Sequence, residues 1–108
     1  MQDLIHRLIA ATNAFDVKAA LEVFAPDAVI DDVSVGQTFA GSAGVRRYLE
    51  QFFVGYHTVS KVLSIDSHGE NQALVRLDFS GDFGQETGRL DVTTNADGLI
   101  AAIDADLD

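Results

Sequence analysis

The chain has 108 residues, and its 7 Lys and Arg against 17 Asp and Glu leave a formal net charge of −10. Hydrophobic residues at 47% against charged residues at 22% describe a globular chain of one-domain size, expected to fold as a single unit over residues 1–108. The acidity repels phosphate backbones and anionic lipid headgroups, arguing against nucleic acid and membrane surfaces as partners, and the absence of cysteine excludes disulfides, thiolate metal sites and thiol nucleophiles. No apolar run approaches the roughly 20 residues of a bilayer span, and Met1-Gln2-Asp3 is no basic leader, so a soluble, cytoplasmic protein is expected.

The first half reads at helical period. Leu4, Ile5, Leu8, Ile9 and Thr12 recur at intervals of three and four, which predicts a helix capped at Asp3 and reaching about Phe15. Asp16 can cap a second helix with Val17, Ala20, Leu21 and Phe24 on one face, stopped by Pro26. Ala28 to Asp32 reads as a short strand and Gly36 to Gly41 as a turn. Ser42 then opens a third helix whose Val45, Tyr48, Leu49 and Phe52 share a face.

From His57 the period changes to two. Thr58–Ser67, Gln72–Phe83, Thr87–Asn95 and Leu99–Leu107 are four strand candidates, separated by glycine and Asx turns. Val75, Leu77 and Phe79 alternate with Arg76, Asp78 and Ser80, as Leu90 and Val92 do with Arg89, Asp91 and Thr93, and Ile103 and Leu107 with Asp104 and Asp106. The apolar set is expected to face the helices. Three helices first and a meandering antiparallel sheet afterwards predict an α+β fold with the helices packed on one face of a curved sheet.

That element order, with the phrases Phe24-Ala25-Pro26-Asp27-Ala28-Val29-Ile30-Asp31-Asp32, Phe39-Ala40-Gly41 and Val45-Arg46-Arg47-Tyr48, resembles the nuclear transport factor two-like superfamily, in particular its SnoaL-like and ketosteroid isomerase-like branches. The resemblance covers essentially the whole chain. It implies three N-terminal helices in the concave face of a strongly curved, mainly antiparallel sheet, a cone-like α+β barrel around an apolar pocket, with no cofactor, a hydrophobic small-molecule ligand and commonly a homodimer. Activity is weakly specified, because this fold hosts isomerases, cyclases, epoxide hydrolases and proteins without chemistry.

Asp32 matches the aspartate that moves a proton between two carbons in the isomerase-like enzymes, a task for a carboxylate at a pocket wall. The alternative is that Asp31-Asp32 ends a strand at the surface. The donors such an enzyme uses for its developing enolate are not clearly retained: a first-helix tyrosine falls on Leu8, and a strand aspartate falls on Asp91 or, by the other count, on Leu90, which face parity favours. Tyr48 is the nearest substitute donor. The resemblance and the apolar faces together make Leu8, Phe15, Phe24, Phe39, Phe52, Tyr56, Leu77, Phe79 and Leu90 the expected pocket lining.

A rival match is Arg76-Leu77-Asp78, which resembles the Arg-x-Asp strand of epoxide hydrolase-like members and needs those groups, with Asp104 or Asp106, inside the cone. It would expel Val75, Leu77 and Phe79, at about 1.5 to 3 kcal/mol for each. His6, His57 and His68 have no metal-ligand spacing, and Gly81, Gly84 and Gly88 precede no helix, so they are hairpin glycines rather than a phosphate cradle. The reading that results is a small-molecule pocket with Asp32 as general base on a hydrophobic carbonyl or polyketide-like substrate, set against a non-catalytic ligand-binding or dimerisation domain. The open convex face, with Arg76, Asp78, Arg89, Asp91 and Thr93, is the expected dimer surface.

Overall fold

The computed structural model describes residues 1–108. Helix α1 (Gln2–Asn13) starts at Met1 with no side-chain cap, so Asp3 sits in the first turn rather than capping it. It ends two residues before Phe15, because the Phe15 and Asp16 amides turn back to the Thr12 and Ala11 carbonyls at 3.0 and 2.9 Å, with Phe15 in the left-handed region at φ 57°. Asp16 caps α2 (Val17–Leu21), its carboxylate accepting from the Ala19 amide at 3.0 Å. Helix α3 (Gly41–Leu49) runs on into a π-helical turn over Glu50–Val54.

Six strands form one sheet: β1 (Phe24–Asp32), β2 (Gln37–Ala40), β3 (Val59–Ser67), β4 (Gln72–Gly81), β5 (Gly84–Thr94) and β6 (Ile100–Leu107), in spatial order β2-β1-β6-β5-β4-β3. All neighbours are antiparallel except β1 and β6, which run parallel. Two local expectations are corrected. The short strand begins at Phe24 rather than Ala28, since Phe24 pairs with Ile100 across a register shift that accommodates Pro26. The turn-rich Gly36–Gly41 segment contains β2, which pairs with β1 and buries Phe39. The sheet curves but does not close into a barrel, because β2 and β3 remain its two edges.

The helices cover the concave face. Ile5, Leu8 and Ile9 of α1 and Val45 and Leu49 of α3 join Val75, Leu77, Leu90, Val92 and Ile103 in one buried cluster. Arg76, Arg89, Thr93 and Asp104 are exposed on the other face, as the alternation requires. Leu77 is fully buried, whereas Asp78 accepts from Gln85 at 2.8 and 2.9 Å on the exposed side. Leu77→Ala is therefore expected to lower stability by about 2 to 5 kcal/mol and Asp78→Ala by about 0.5 kcal/mol or less, compared in urea melts; the opposite order would mean that the strand faces are inverted.

Candidate functional site

The alternation along β1 sends Ile30 and Asp32 inward and leaves Asp31 exposed. Asp32 is the last strand residue and only 6% exposed. The chain turns directly after it, and the Ser34 amide and hydroxyl donate to Asp32 Oδ1 at 2.9 and 2.5 Å, an Asx turn closed on a buried carboxylate. From the opposite side the Tyr48 hydroxyl, on the inner face of α3, donates to Asp32 Oδ2 at 2.6 Å. That length is at the short end of the range for an O–H···O hydrogen bond. The Tyr48 ring is fixed by edge contact with Phe39, centroids 5.0 Å apart, and by tilted contact with Phe52 at 5.1 Å.

A carboxylate offers about four acceptor positions. Both of those on Oδ1 are filled and one on Oδ2 is filled, which leaves one on Oδ2. Asp32 and Tyr48 stand in the wall of a cavity of about 210 Å³ that opens at the end of the sheet where the Val33–Gly36 turn and the β4–β5 hairpin meet. Burial pushes the Tyr48 phenol well above the usual tyrosine range, and the hydrogen bond and negative charge of Asp32 push the same way. Tyr48 is thus a neutral donor at physiological pH, keeping its proton and directing its O–H at Asp32.

Of the residues expected to line a pocket, Phe52, Tyr56, Phe79 and Leu90 do so, together with Asp32 and Tyr48. Leu8, Phe24 and Leu77 do not: they are consumed by helix-to-sheet packing. Phe39 lies behind Tyr48 rather than at the cavity, beneath the Arg47 guanidinium. Phe15, turned by its left-handed backbone, meets His57 edge-on outside the cavity. Asp91 stands on the outer face, where Gln72 donates to it at 3.0 Å, because β5 alternates and Leu90 takes the inner place. The same alternation turns Arg76 and Asp78 outward, so the Arg-x-Asp arrangement does not reach the cavity.

Sequence reasoning missed Ser34, Phe53, Thr58 and Phe83 in the lining. Ser34 had a signal, since Asp-x-Ser before a glycine is Asx-turn chemistry. No enolate donor stands where the isomerase-like pattern puts one: Leu8 is apolar core and Asp91 faces out. Of the other lining hydroxyls, Ser34 is committed to Asp32 and Thr58 to the Phe52 carbonyl at 2.6 Å, whereas the Tyr56 hydroxyl has no partner within the protein. No cluster of three His, Asp or Glu side chains is arranged to hold a metal, and no helix is long and apolar enough to cross a membrane.

The sequence model described as the SnoaL-like domain matches residues 5–103. The chain belongs to the SnoaL-like family. Its fold is that of the wider nuclear transport factor two-like superfamily. Among solved structures, this SnoaL-like chain is similar to a candidate polyketide cyclase from Sinorhizobium meliloti, with TM-score 0.86 and 28% identity over 95% of this chain and 93% of that one. It is similar in fold to a Mycobacterium tuberculosis protein in complex with estradiol-17β-hemisuccinate, with TM-score 0.85 and 15% identity over 96% and 90% of the two chains. The epoxide hydrolase/cyclase-like enzyme SalBIII, with a role in pyran ring formation in the polyether salinomycin, matches with TM-score 0.87 and 17% identity over 99% and 89%. No curated protein matches the sequence significantly.

The buried Tyr48–Asp32 bond makes stability depend on alkaline pH. A phenol whose folded pKa is raised contributes fully below its unfolded value of 10.0, and the contribution is lost as pH rises beyond that, because only the unfolded chain releases the proton readily. Tyr48→Phe is expected to cost about 1 to 3 kcal/mol at neutral pH, by leaving Asp32 short of a donor, and to flatten the decline of stability above pH 10. Urea melts of both proteins across that range check this; equal alkaline slopes would contradict it.

Proposed function

We propose that the cavity binds a small hydrophobic carbonyl compound, of cyclic-ketone or polyketide-like type, and that Asp32 moves a proton at a carbon beside the carbonyl. What supports the reading most is the buried carboxylate with one open acceptor position in the wall of an apolar cavity. The candidate polyketide cyclase at 28% identity supports the substrate class. In the proposed step the C–H bond breaks, its proton passes to Asp32 Oδ2, and its electron pair delocalises into the carbonyl as an enolate. The Asp32 carboxylic acid then returns the proton at another carbon, giving an isomer, or to the oxygen of a second carbonyl that the enolate attacks, giving a ring.

Tyr48 and Ser34 are assigned positioning roles, fixing the carboxylate so that its free acceptor position meets the substrate. Phe52, Tyr56, Phe79 and Leu90 are assigned the apolar contact. At about 210 Å³ the cavity is smaller than the roughly 300 to 1,000 Å³ of many ligand pockets, so it suits a small ring or one end of a longer molecule projecting through the mouth. The absence of an enolate donor at the positions of the isomerase-like pattern favours a second reading, a ligand-binding domain without turnover.

Deuterium exchange in small cyclic ketones, followed by NMR in D2O, separates the two. Proton transfer predicts exchange above the buffer rate, returned to that rate by Asp32→Asn with the fold retained. Ligand binding without exchange in either protein would establish the second reading instead.

The outer face of the sheet supports a proposed homodimer. Asp31, Asp104 and Asp91 lie side by side across β1, β6 and β5, and Arg76 lies opposite Arg89 across β4 and β5. Like charges in direct register are unfavourable. A two-fold axis that sets the arginine pair of one copy against the aspartate row of the other relieves both. Light scattering at micromolar concentration and moderate salt is expected to give a dimer mass that Arg76→Glu with Arg89→Glu lowers; a monomer mass for the unaltered protein would contradict it.

A further inference from the structure

Six of the residues lining the cavity are aromatic: Tyr48, Phe52, Phe53, Tyr56, Phe79 and Phe83. They form a continuous chain of edge-to-face and tilted contacts, with Tyr48 meeting Phe52 and Phe53, Phe53 meeting Phe79, and Tyr56 joining Phe52 to Phe83, at centroid distances of 5.1 to 6.4 Å. Aromatic faces carry negative quadrupole potential and attract organic cations. Within this wall stands Asp32, whose three donors are a backbone amide and two hydroxyls, all neutral.

The buried Asp32 carboxylate therefore has no cationic partner. The molecule has one ion pair, Arg89 with Asp106, and a His57–Asp82 hydrogen bond at 2.9 Å, and neither involves it. Arg89 borders the cavity but belongs to the outward alternation of β5, where its guanidinium lies 3.6 Å from the Asp106 carboxylate. Glu86, on the inward alternation of β5, adds a second carboxylate at the mouth. A buried charge held by hydrogen bonds alone retains an unbalanced electrostatic cost, which an incoming cation removes. The net charge of −10 steers cations towards the protein and anions away.

We propose that the cavity selects ligands that carry an organic cation, a protonated or quaternary amine, on a small apolar body, against neutral and anionic ligands of the same shape. The inference rests on the reading of the cavity as a small-molecule site and specifies the charge of what it takes. It also bears on the missing enolate donor: a substrate with its own ammonium group near the carbonyl places a positive charge beside the developing oxyanion, whereas the one cationic side chain at the cavity, Arg89, is turned to Asp106. Free carboxylates and anionic phosphate esters are disfavoured by the same field.

The test uses phenyltrimethylammonium, its neutral carbon isostere tert-butylbenzene, and benzoate. Binding is measured by calorimetry, with NMR shifts of the Tyr48, Phe52 and Phe79 rings locating each ligand in the cavity. The cation is expected to bind at least about tenfold tighter than tert-butylbenzene, benzoate not measurably, and the preference is expected to fall several-fold in Asp32→Asn and with added salt. Glu86→Gln, at the exposed mouth, provides a variant with little consequence for folding and is expected to weaken the cation alone. Binding of tert-butylbenzene as tightly as the cation would overturn the charge selectivity and leave the small-molecule site standing. Failure of all three to perturb the cavity rings would remove the site reading as well, and a cation preference unchanged by either substitution would overturn the assignment to Asp32 and Glu86.

Discussion

The hydrogen bond from Tyr48 to Asp32 joins the last residue of β1 to the inner face of α3, and the open end of the molecule is organised around it. A carboxylate buried to this degree is tolerated only with its acceptor positions largely filled. That requirement fixes the Val33–Gly36 turn, which must deliver both Ser34 donors, and it fixes the rotation of α3, which must deliver the phenol. Phe39 on the edge strand β2 and Phe52 one turn along the helix then pack on the Tyr48 ring and hold it in place. A polar constraint of this kind lets the two sides of the sheet end be braced without filling the space between them.

The remaining inner surface divides accordingly. Towards the closed end, α1, α3 and the sheet interlock through Ile5, Leu8, Val45, Leu77 and Val92, and no room is left. Towards the open end the helix widens into the Glu50–Val54 turn, and consecutive Phe52 and Phe53 both reach the cavity wall. Gly88 contributes at the same level: a Cβ there would stand 2.6 Å from the Asp106 carbonyl and 3.1 Å from the rings and methyls of Phe79 and Leu107. Its missing side chain lets β5 and β6 approach while Phe79 and Leu107 cover the gap. Core and cavity wall are thus one apolar surface, separated by how closely the helices lie on it.

The chemistry open to such a site is narrow. A carboxylate with one free acceptor position, among three committed hydroxyls and aromatic walls, can accept a proton or attract a cation. Membership of the SnoaL-like family leaves the reaction open, because this fold carries its functions in the residues of the cavity rather than in the architecture.

The sequence by itself determined the order of the elements other than β2, the in-and-out faces of the long strands and that Asp32 shares the strand face of Ile30, because period-two and period-3.6 patterns are set by local backbone geometry and need no tertiary information. Asp16 as a cap and Leu90 rather than Asp91 on the inner face follow from the same local rules. Only the tertiary structure decided that Gly36–Gly41 contains an edge strand, since β2 exists through its pairing with β1. It likewise decided which apolar residues border empty space. Leu8, Leu77, Phe79 and Leu90 read alike in the sequence, yet the first two are packed and the last two line the cavity. The difference lies in the distance between helix and sheet at each level, a sum of contacts from elements far apart in the chain that no local pattern encodes.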